Sequence, residues 1–253
     1  MSWFRRRAAL AEGWEAIVER AVGHWKYLDD GERDVLASLI EALVTTKRWE
    51  AANGFELTDE IRTVIAAQAG LLVLGLGLDA YADVGVIIVH PSTMRFRRTE
   101  SGPIPGTEVD GDVDLLGEAS HRGPVVIAWD SARYSARHPG LGHDVVLHEF
   151  SHKLDMLDHV VDGTPPLQDE AARRRWVAVC TAELDQLRAG EGGPLLDPYG
   201  ATDPGEFFAW ATEAFFGRPV QLEADKADLY DVLRAFYRQD PAERVRRHRR
   251  PDG

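Results

Sequence analysis

Residues 148–152 read His148-Glu149-Phe150-Ser151-His152. The two histidines are four positions apart, so on a helix both rings lie on one face and can bind the same metal ion. Glu149 directly follows the first histidine and can reach a water at that metal without binding the metal itself. This order of residues is typical of zinc-dependent peptidases. It predicts a fold built around a metal-binding helix.

The sequence on either side of this segment predicts that it is helical. No Pro or Gly interrupts positions 143–158, and Asp144 suits the positive end of a helix dipole. A core helix that carries two paired polar histidines is the alternative, but burying them with an acid and no partner is costly. Apolar residues recur mostly at spacings of three and four, which indicates one buried side: Val145, Leu147, Phe150, Leu154 and Leu157.

A catalytic zinc site usually has three protein ligands and one position for water, so a further ligand must come from elsewhere. Six residues after the second histidine, where a compact site would place a third histidine, stands Asp158. The better candidates lie in a predicted helix over residues 204–216, which Asp203 would cap. Glu206 and Glu213 are seven positions apart in this apolar segment, where a carboxylate needs a partner or solvent. We predict Glu213 as the third ligand and Glu206 as a neighbouring carboxylate that supports a ligand or contacts substrate.

Three stretches carry a resemblance to a known family. They are residues 148–155 around the paired histidines, residues 197–208, which read DPYGATDPGEFF, and residues 213–216. Together they resemble the Mlc titration factor A family of bacterial zinc peptidases, over about residues 13 to 243.

The resemblance implies a cytosolic zinc aminopeptidase with a gluzincin-like site and a fold similar to the anthrax lethal factor peptidase domain. In that site His148, His152 and Glu213 would bind Zn²⁺ and Glu149 would be the general base. The substrate would be a peptide. The family also implies binding to the glucose-regulon repressor Mlc, so a regulator that binds a transcriptional repressor is the alternative function. A metal hydrolase acting on non-peptide amides is a third.

Other polar residues near these motifs are candidates for supporting roles. Tyr199, just before the predicted helix, could donate a hydrogen bond to the oxyanion, or could simply pack at the helix entrance. Asp155 could accept a hydrogen bond from a ligand imidazole or pair with a surface charge. Glu206 or Asp203 could bind the free amine of a substrate, and the sequence does not separate the two. We predict His143 and His159 to be surface histidines, because neither shares the helical face of the motif; Trp210 is expected in the core.

Bulk properties limit the partners and the compartment. The net charge of −13 over 253 residues argues against nucleic acid, and the longest uncharged run, 63–78, is shorter than the ~20 residues of a membrane span. The single Cys180 fits a reducing compartment, and glutamates interrupt any apolar segment near the N-terminus. The sequence therefore predicts a cytoplasmic protein with neither nucleic acid nor membrane as a partner.

The order of predicted elements indicates an α+β fold: a mainly helical zincin-like metallopeptidase domain with a small central sheet. Residues 1–78 form a helical part packed on the catalytic domain, 79–243, and 244–253 form a basic, disordered tail. Strands are predicted at 84–89 and 124–129, with a hairpin or an irregular excursion over 92–122. Helices are predicted over about 14–22, 30–45, 59–74, 143–158, 169–188, 204–216 and 223–238, the 59–74 helix covering the active-site domain.

Overall fold

Three short strands form a small parallel sheet. The computed structural model describes residues 10, 12–52, 54–92 and 123–249. Its strands are β1 (Arg48–Ala51), β2 (Val86–His90) and β3 (Val125–Ala128), in the order β1-β2-β3. Ile87 pairs with Trp49 on one side and with Val125 on the other. The two predicted strands, 84–89 and 124–129, are confirmed as β2 and β3, with ends that agree within two residues. Strand β1 was not predicted.

Helices make up most of the described chain, and most of them begin where the sequence predicts. Asp29 and Glu32 form a reciprocal capping box, and Thr58, Asp169 and Asp203 each cap a helix start through a side-chain oxygen. The predicted mainly helical α+β domain with a small sheet is confirmed. The helices of the described residues are α1 (Trp14–Ala21), α2 (Asp30–Thr46), α3 (Asp59–Leu72), α4 (Trp129–Arg137), α5 (Val145–Asp155), α6 (Glu170–Arg188), α7 (Pro204–Gly217), α8 (Pro219–Asp225), α9 (Ala227–Tyr237) and α10 (Pro241–Arg249).

Helix α3 is almost entirely buried. Almost every residue from Ile61 to Leu72 is buried, between α1 and α2 on one side and α4 and α5 on the other. The hydroxyl of Tyr81 donates to the Ala69 carbonyl, and its ring meets Phe150 of α5 edge to face. The predicted buried helix behind the catalytic segment is therefore confirmed. Among the described residues, every helix falls short of the length or the apolar character that crossing a lipid bilayer requires.

Two predicted boundaries disagree with the structure. The division at residue 78 cuts through the sheet, because β1 belongs to the first part and pairs with β2 of the second. The prediction of a disordered tail from Arg244 onward is wrong as far as Arg249. This stretch completes α10, where Arg244 is buried and binds Glu32, since a buried guanidinium needs an acidic partner. Residues 250–253 and most of the predicted excursion, 93–122, lie outside the described residues.

Candidate metal centre

Helix α5 carries the two histidines and is fixed at its start by Asp144. One carboxylate oxygen of Asp144 accepts hydrogen bonds from the backbone amides of Val146 and Leu147, at 3.0 and 3.2 Å. These bonds satisfy amides that have no partner within the helix. The apolar side of α5 is buried in the core, so His148 and His152 point away from it, toward α7.

Helix α7 presents three residues to the histidines. Glu206, Trp210 and Glu213 follow the spacing of four and three that places side chains on one helical face. The Trp210 ring lies 5.6 Å from the His148 ring, edge to face. Glu206 and Glu213 are both buried, one on each side of this tryptophan in sequence.

Three potential ligands converge between the two helices. Nε2 of His148 lies 3.2 Å from Nε2 of His152, and the Glu206 carboxylate lies 3.4 Å from the first and 3.5 Å from the second. One atom from each of these residues falls within 4.8 Å of the others, so the group could hold a metal ion. Two imidazoles and a carboxylate are a ligand set that zinc uses in catalytic sites.

The protonation of the site also fits a cation. Nδ1 of His148 lies 2.7 Å from a Glu213 oxygen and donates to it, so it is Nε2 that faces His152 and Glu206 and that would offer a lone pair to a metal once its proton is lost. Two ring nitrogens and a carboxylate at such distances repel each other unless a proton or a metal lies between them. Burial lowers the pKa of His148, but hydrogen bonds to Glu206 and Glu213 outweigh it and raise that pKa to about 10. Burial raises the pKa of Glu206, but the two histidines bring it down to about 2.

Glu213 lies on the other side of the His148 ring. One of its oxygens accepts from Nδ1 of His148, and the second accepts from the Asp144 backbone amide. The predicted role of Glu213 as third ligand stays a prediction; in the structure its carboxylate contacts Nδ1 of His148, the ring nitrogen that points away from His152. Glu206, predicted as a neighbouring carboxylate, is the acid that lies close to Nε2 of both histidines. A carboxylate on the remote nitrogen of a ligand histidine fixes its tautomer and orientation.

Comparison with known proteins agrees with this geometry. A family model described as Glucose-regulated metallo-peptidase M90 matches residues 2–238. The chain belongs to this family. An uncharacterized protein from Synechocystis, slr2042, is 35% identical over 232 residues, which cover 90% of this chain and 84% of that protein. Mlc titration factor A is 31% identical over 243 residues in Pectobacterium atrosepticum (93% and 89% covered) and 31% over 228 in Serratia proteamaculans (87% and 85%). The predicted family resemblance is confirmed.

In this M90 metallopeptidase, Glu149 is half-buried beside the cluster. Burial raises the pKa of its carboxyl, while the charges of His148 and His152 act in the opposite direction. The neighbouring Lys153 donates to the Gly123 carbonyl at 3.0 Å, just before β3. Glu149 therefore sits between the metal cluster and the edge of the sheet, in surroundings that favour its protonated form more than water does.

The two other predicted residues lie in the segments that lead to and from the site. Tyr199 is half-buried in a short turn, Pro198–Ala201, and its amide donates to Asp197 at 2.8 Å. Asp155 is fully buried, and burial raises its pKa to about 7. It accepts a hydrogen bond from the Gly163 amide at 3.0 Å. Asp155 therefore holds the loop after α5 in place and, among the described residues, does not pair with a surface charge.

Two further side chains, His143 and Trp210, lie beside this site, although the sequence predicts the first at the surface and the second in the core. The predicted surface positions of His143 and His159 are confirmed, but Nδ1 of His143 lies 3.5 Å from Glu213. Its ring stacks edge to face on Trp210, at 4.5 Å, and Trp210 in turn contacts the ring of His148. The Glu213 hydrogen bond raises the pKa of His143. The sequence offers one indication that His143 lies near the site: it directly precedes Asp144, the residue that caps the histidine-bearing helix α5.

Proposed function

We propose that this chain is a zinc-dependent peptidase whose metal is held by His148, His152 and Glu206. The observation that carries the proposal is the convergence of one atom from each of these residues within 4.8 Å. Membership of a metallopeptidase family supports the reaction class. Glu213 supports the site by accepting from Nδ1 of His148.

Each side chain has a separate part in the proposed reaction. Zinc, when bound, lowers the pKa of water to about 7 and polarises a carbonyl. Glu149 takes a proton from the attacking water and returns it to the leaving amine, a task for which a raised pKa is suited. Glu213 keeps His148 in the tautomer whose Nε2 is free to bind. Tyr199 is the proposed donor to the oxyanion, because it precedes α7 directly.

Aminopeptidase specificity is the finer part of the proposal, and it comes from the family resemblance. Glu206 was one candidate for binding the substrate amine, but a carboxylate that binds the metal is not free for that contact. The amine would then be recognised by another acid at the rim of the site. Asp203, the exposed cap of α7, is the nearest in sequence.

The test compares wild type with Glu149→Gln on amino-acid anilides. We expect the variant to keep its zinc and to lose turnover by at least about 100-fold, the usual contribution of a general base. Glu191→Gln, an exposed position away from the site, is the control and should match wild type. Equal turnover in all three proteins would contradict the role of Glu149. Cleavage of N-acetylated anilides at the same rate as free ones would exclude aminopeptidase specificity.

A second role is favoured by the relatives named Mlc titration factor A, which match most of this chain. We propose that the chain also binds a transcriptional repressor of the Mlc type, in the cytoplasm. The net charge of −13 makes the repressor protein, rather than its DNA, the binding partner. Titration with purified Mlc repressor should give saturable binding that added operator DNA does not enhance. No anilide cleavage together with repressor binding would make this the main function.

A further inference from the structure

A cavity unconnected with the metal site lies between α6, α9 and the loop before α6. Its volume is about 160 Å³, and its walls include Leu76, Leu167, Trp176 and Phe236. Trp176 and Phe236 also pack on Phe208, which is two residues beyond Glu206 and so on the opposite side of α7. The cavity is therefore separated from the metal centre by the body of that helix.

Two arginines stand at the mouth of this cavity. Arg175 and Arg238 line both the cavity and a wider surface depression beside it, of about 450 Å³. Arg175 is exposed and pairs with Asp231 at 3.4 Å and with Asp228 at 3.7 Å. The Arg238 guanidinium is exposed and makes no hydrogen bond or ion pair within the part of the chain that the structure describes. A chain with a net charge of −13 thus keeps one unpaired cation at the opening of an apolar cavity.

The backbone of Arg238 is held in an unfavourable conformation. Its φ of 53° lies in the left-handed region, where glycine or asparagine usually ends a helix such as α9. Gly75 approaches so closely that a Cβ there would lie 2.9 Å from Cβ of Arg238, which leaves this turn little freedom. Backbone strain that the surrounding structure enforces is common at ligand sites. Here it fixes the backbone from which the Arg238 side chain extends.

We propose that this cavity binds a small carboxylate with an apolar body. The apolar part would occupy the space between Trp176, Leu167 and Phe236, and the carboxylate would meet Arg238 and Arg175. A carboxylate is favoured because a guanidinium offers it paired, charge-assisted hydrogen bonds. The cavity is large enough for a chain of a few carbon atoms, and burying them there adds to the affinity. The site is independent of the proposed peptidase reaction.

The test uses three probes on the full chain, measured by isothermal titration calorimetry. Hexanoate has both features, acetate has only the charge, and hexan-1-ol has only the apolar body. We expect hexanoate to bind at one site, at least about tenfold more tightly than either partial probe, since each feature adds more than 1.4 kcal/mol. No saturable hexanoate binding, or equal affinity for all three probes, would overturn the proposal.

Variants of Arg238 separate this site from the metal centre. Arg238→Gly and Arg238→Asn remove the charge while suiting the left-handed backbone, so their melting temperatures should equal or exceed that of wild type. Both should weaken hexanoate binding about tenfold and leave hexan-1-ol unaffected. Arg174→Gln, which changes an exposed arginine of α6 outside the cavity, is the control. Unchanged hexanoate affinity in the Arg238 variants would show that the carboxylate binds elsewhere, including at a metal.

Discussion

At the scale of single residues, two carboxylates of the same helix have different surroundings. Glu206 and Glu213 both lie on the face of α7 that meets α5, and both contact His148. Glu206 approaches Nε2, the ring nitrogen that also faces His152, whereas Glu213 approaches Nδ1. The proposed roles of the two carboxylates, one as a metal ligand and one as a group that orients a ligand, therefore rest on which nitrogen of the His148 ring each of them contacts.

Zinc affinity should separate these two roles. Glu213→Gln should weaken zinc binding by about 10- to 100-fold, the usual loss when the partner of a ligand histidine is changed. Glu206→Gln should weaken it further, because a ligand is lost. Competition with a chromophoric chelator measures both affinities, and Glu191→Gln serves as the control. If Glu213→Gln released the metal while Glu206→Gln retained it, the originally predicted assignment would be correct.

The sequence could not distinguish the two glutamates, for a physical reason. Their spacing of seven indicates a shared helical face, and the surrounding phenylalanines indicate burial. Which glutamate lies near Nε2 of both histidines depends on where α5 crosses α7. That crossing is decided by packing between residues that are far apart in sequence. The pair His148 and His152 was predictable because its geometry lies within one helix.

At the scale of elements, the predicted helices and strands agree best where a local signal marks their ends. The helix at 204–216 begins at its Asp203 cap and ends at Gly217, as its sequence indicates. Strand β1 carries Arg48 and Glu50 and forms because β2 offers a partner, so its own composition gives little sign of it. The predicted helix 223–238 is instead two helices, α8 and α9, which meet at the non-helical backbone of Lys226.

The loop after α5 offers an element-scale prediction. Gly163 has a φ of 73°, and a Cβ there would lie 2.6 Å from the backbone carbon of Pro204, at the start of α7. Its amide and carbonyl bind Asp155 and Trp176. Gly163→Ala should therefore lower the free energy of unfolding by about 2 kcal/mol or more, from backbone strain together with the steric overlap.

Gly190→Ala is the matched control for this substitution. Gly190 has a similar φ of 79°, but a Cβ there meets nothing within 4 Å. Only the cost of the left-handed conformation remains, about 1 kcal/mol. Urea denaturation of both variants gives the comparison. Equal losses would show that contact with the start of α7 is unimportant.

At the scale of the whole molecule, His24 connects the segment between α1 and α2 to the C-terminal end of α7. Its Nε2 donates to the Phe216 carbonyl of α7 at 3.2 Å, and its ring is buried. Burial lowers the pKa of His24 from 6.5 to about 4, with the Phe216 bond opposing this and the Arg244 charge adding to it. The ring is therefore neutral in the folded protein at pH 7.

This buried histidine predicts a loss of stability in acid. Between pH 6.5 and 4 the unfolded chain binds a proton at His24 that the folded chain does not, so stability falls as the pH falls. At pH 4 this one group should account for about 3 kcal/mol relative to pH 7. His24→Gln keeps a donor for Phe216 and removes the titration. Chemical denaturation at both pH values should show a smaller acid loss in the variant; an identical loss would exclude His24 as the cause.

One buried arginine of the C-terminal helix α10 links this helix to the start of α2 and to the end of α3. Arg244 binds Glu32 at 2.7 Å and Gln239 at 2.8 Å. Glu32 also accepts from the Asp29 amide at the start of α2, while Gln239 donates to two carbonyls at the end of α3. The basic composition of residues 244–253 predicts a solvated tail, and only this long-range pairing shows that its first part belongs to the core.

Substitution of Arg244 should therefore destabilise the whole molecule, even though it lies in a terminal and highly charged helix. Arg244→Met leaves the buried Gln239 side chain without one partner and removes the closer of the two arginines that bind Glu32, so we expect a loss of about 2 kcal/mol or more in the free energy of unfolding. Arg247→Met removes an exposed arginine, 3.4 Å from the same Glu32, and should cost less than about 1 kcal/mol. Urea denaturation at pH 7 measures both losses. Equal small losses would mean that α10 only rests on the surface. The expected contrast would show that Arg244 holds α2 and α3 in place, and that α10 is therefore part of the core.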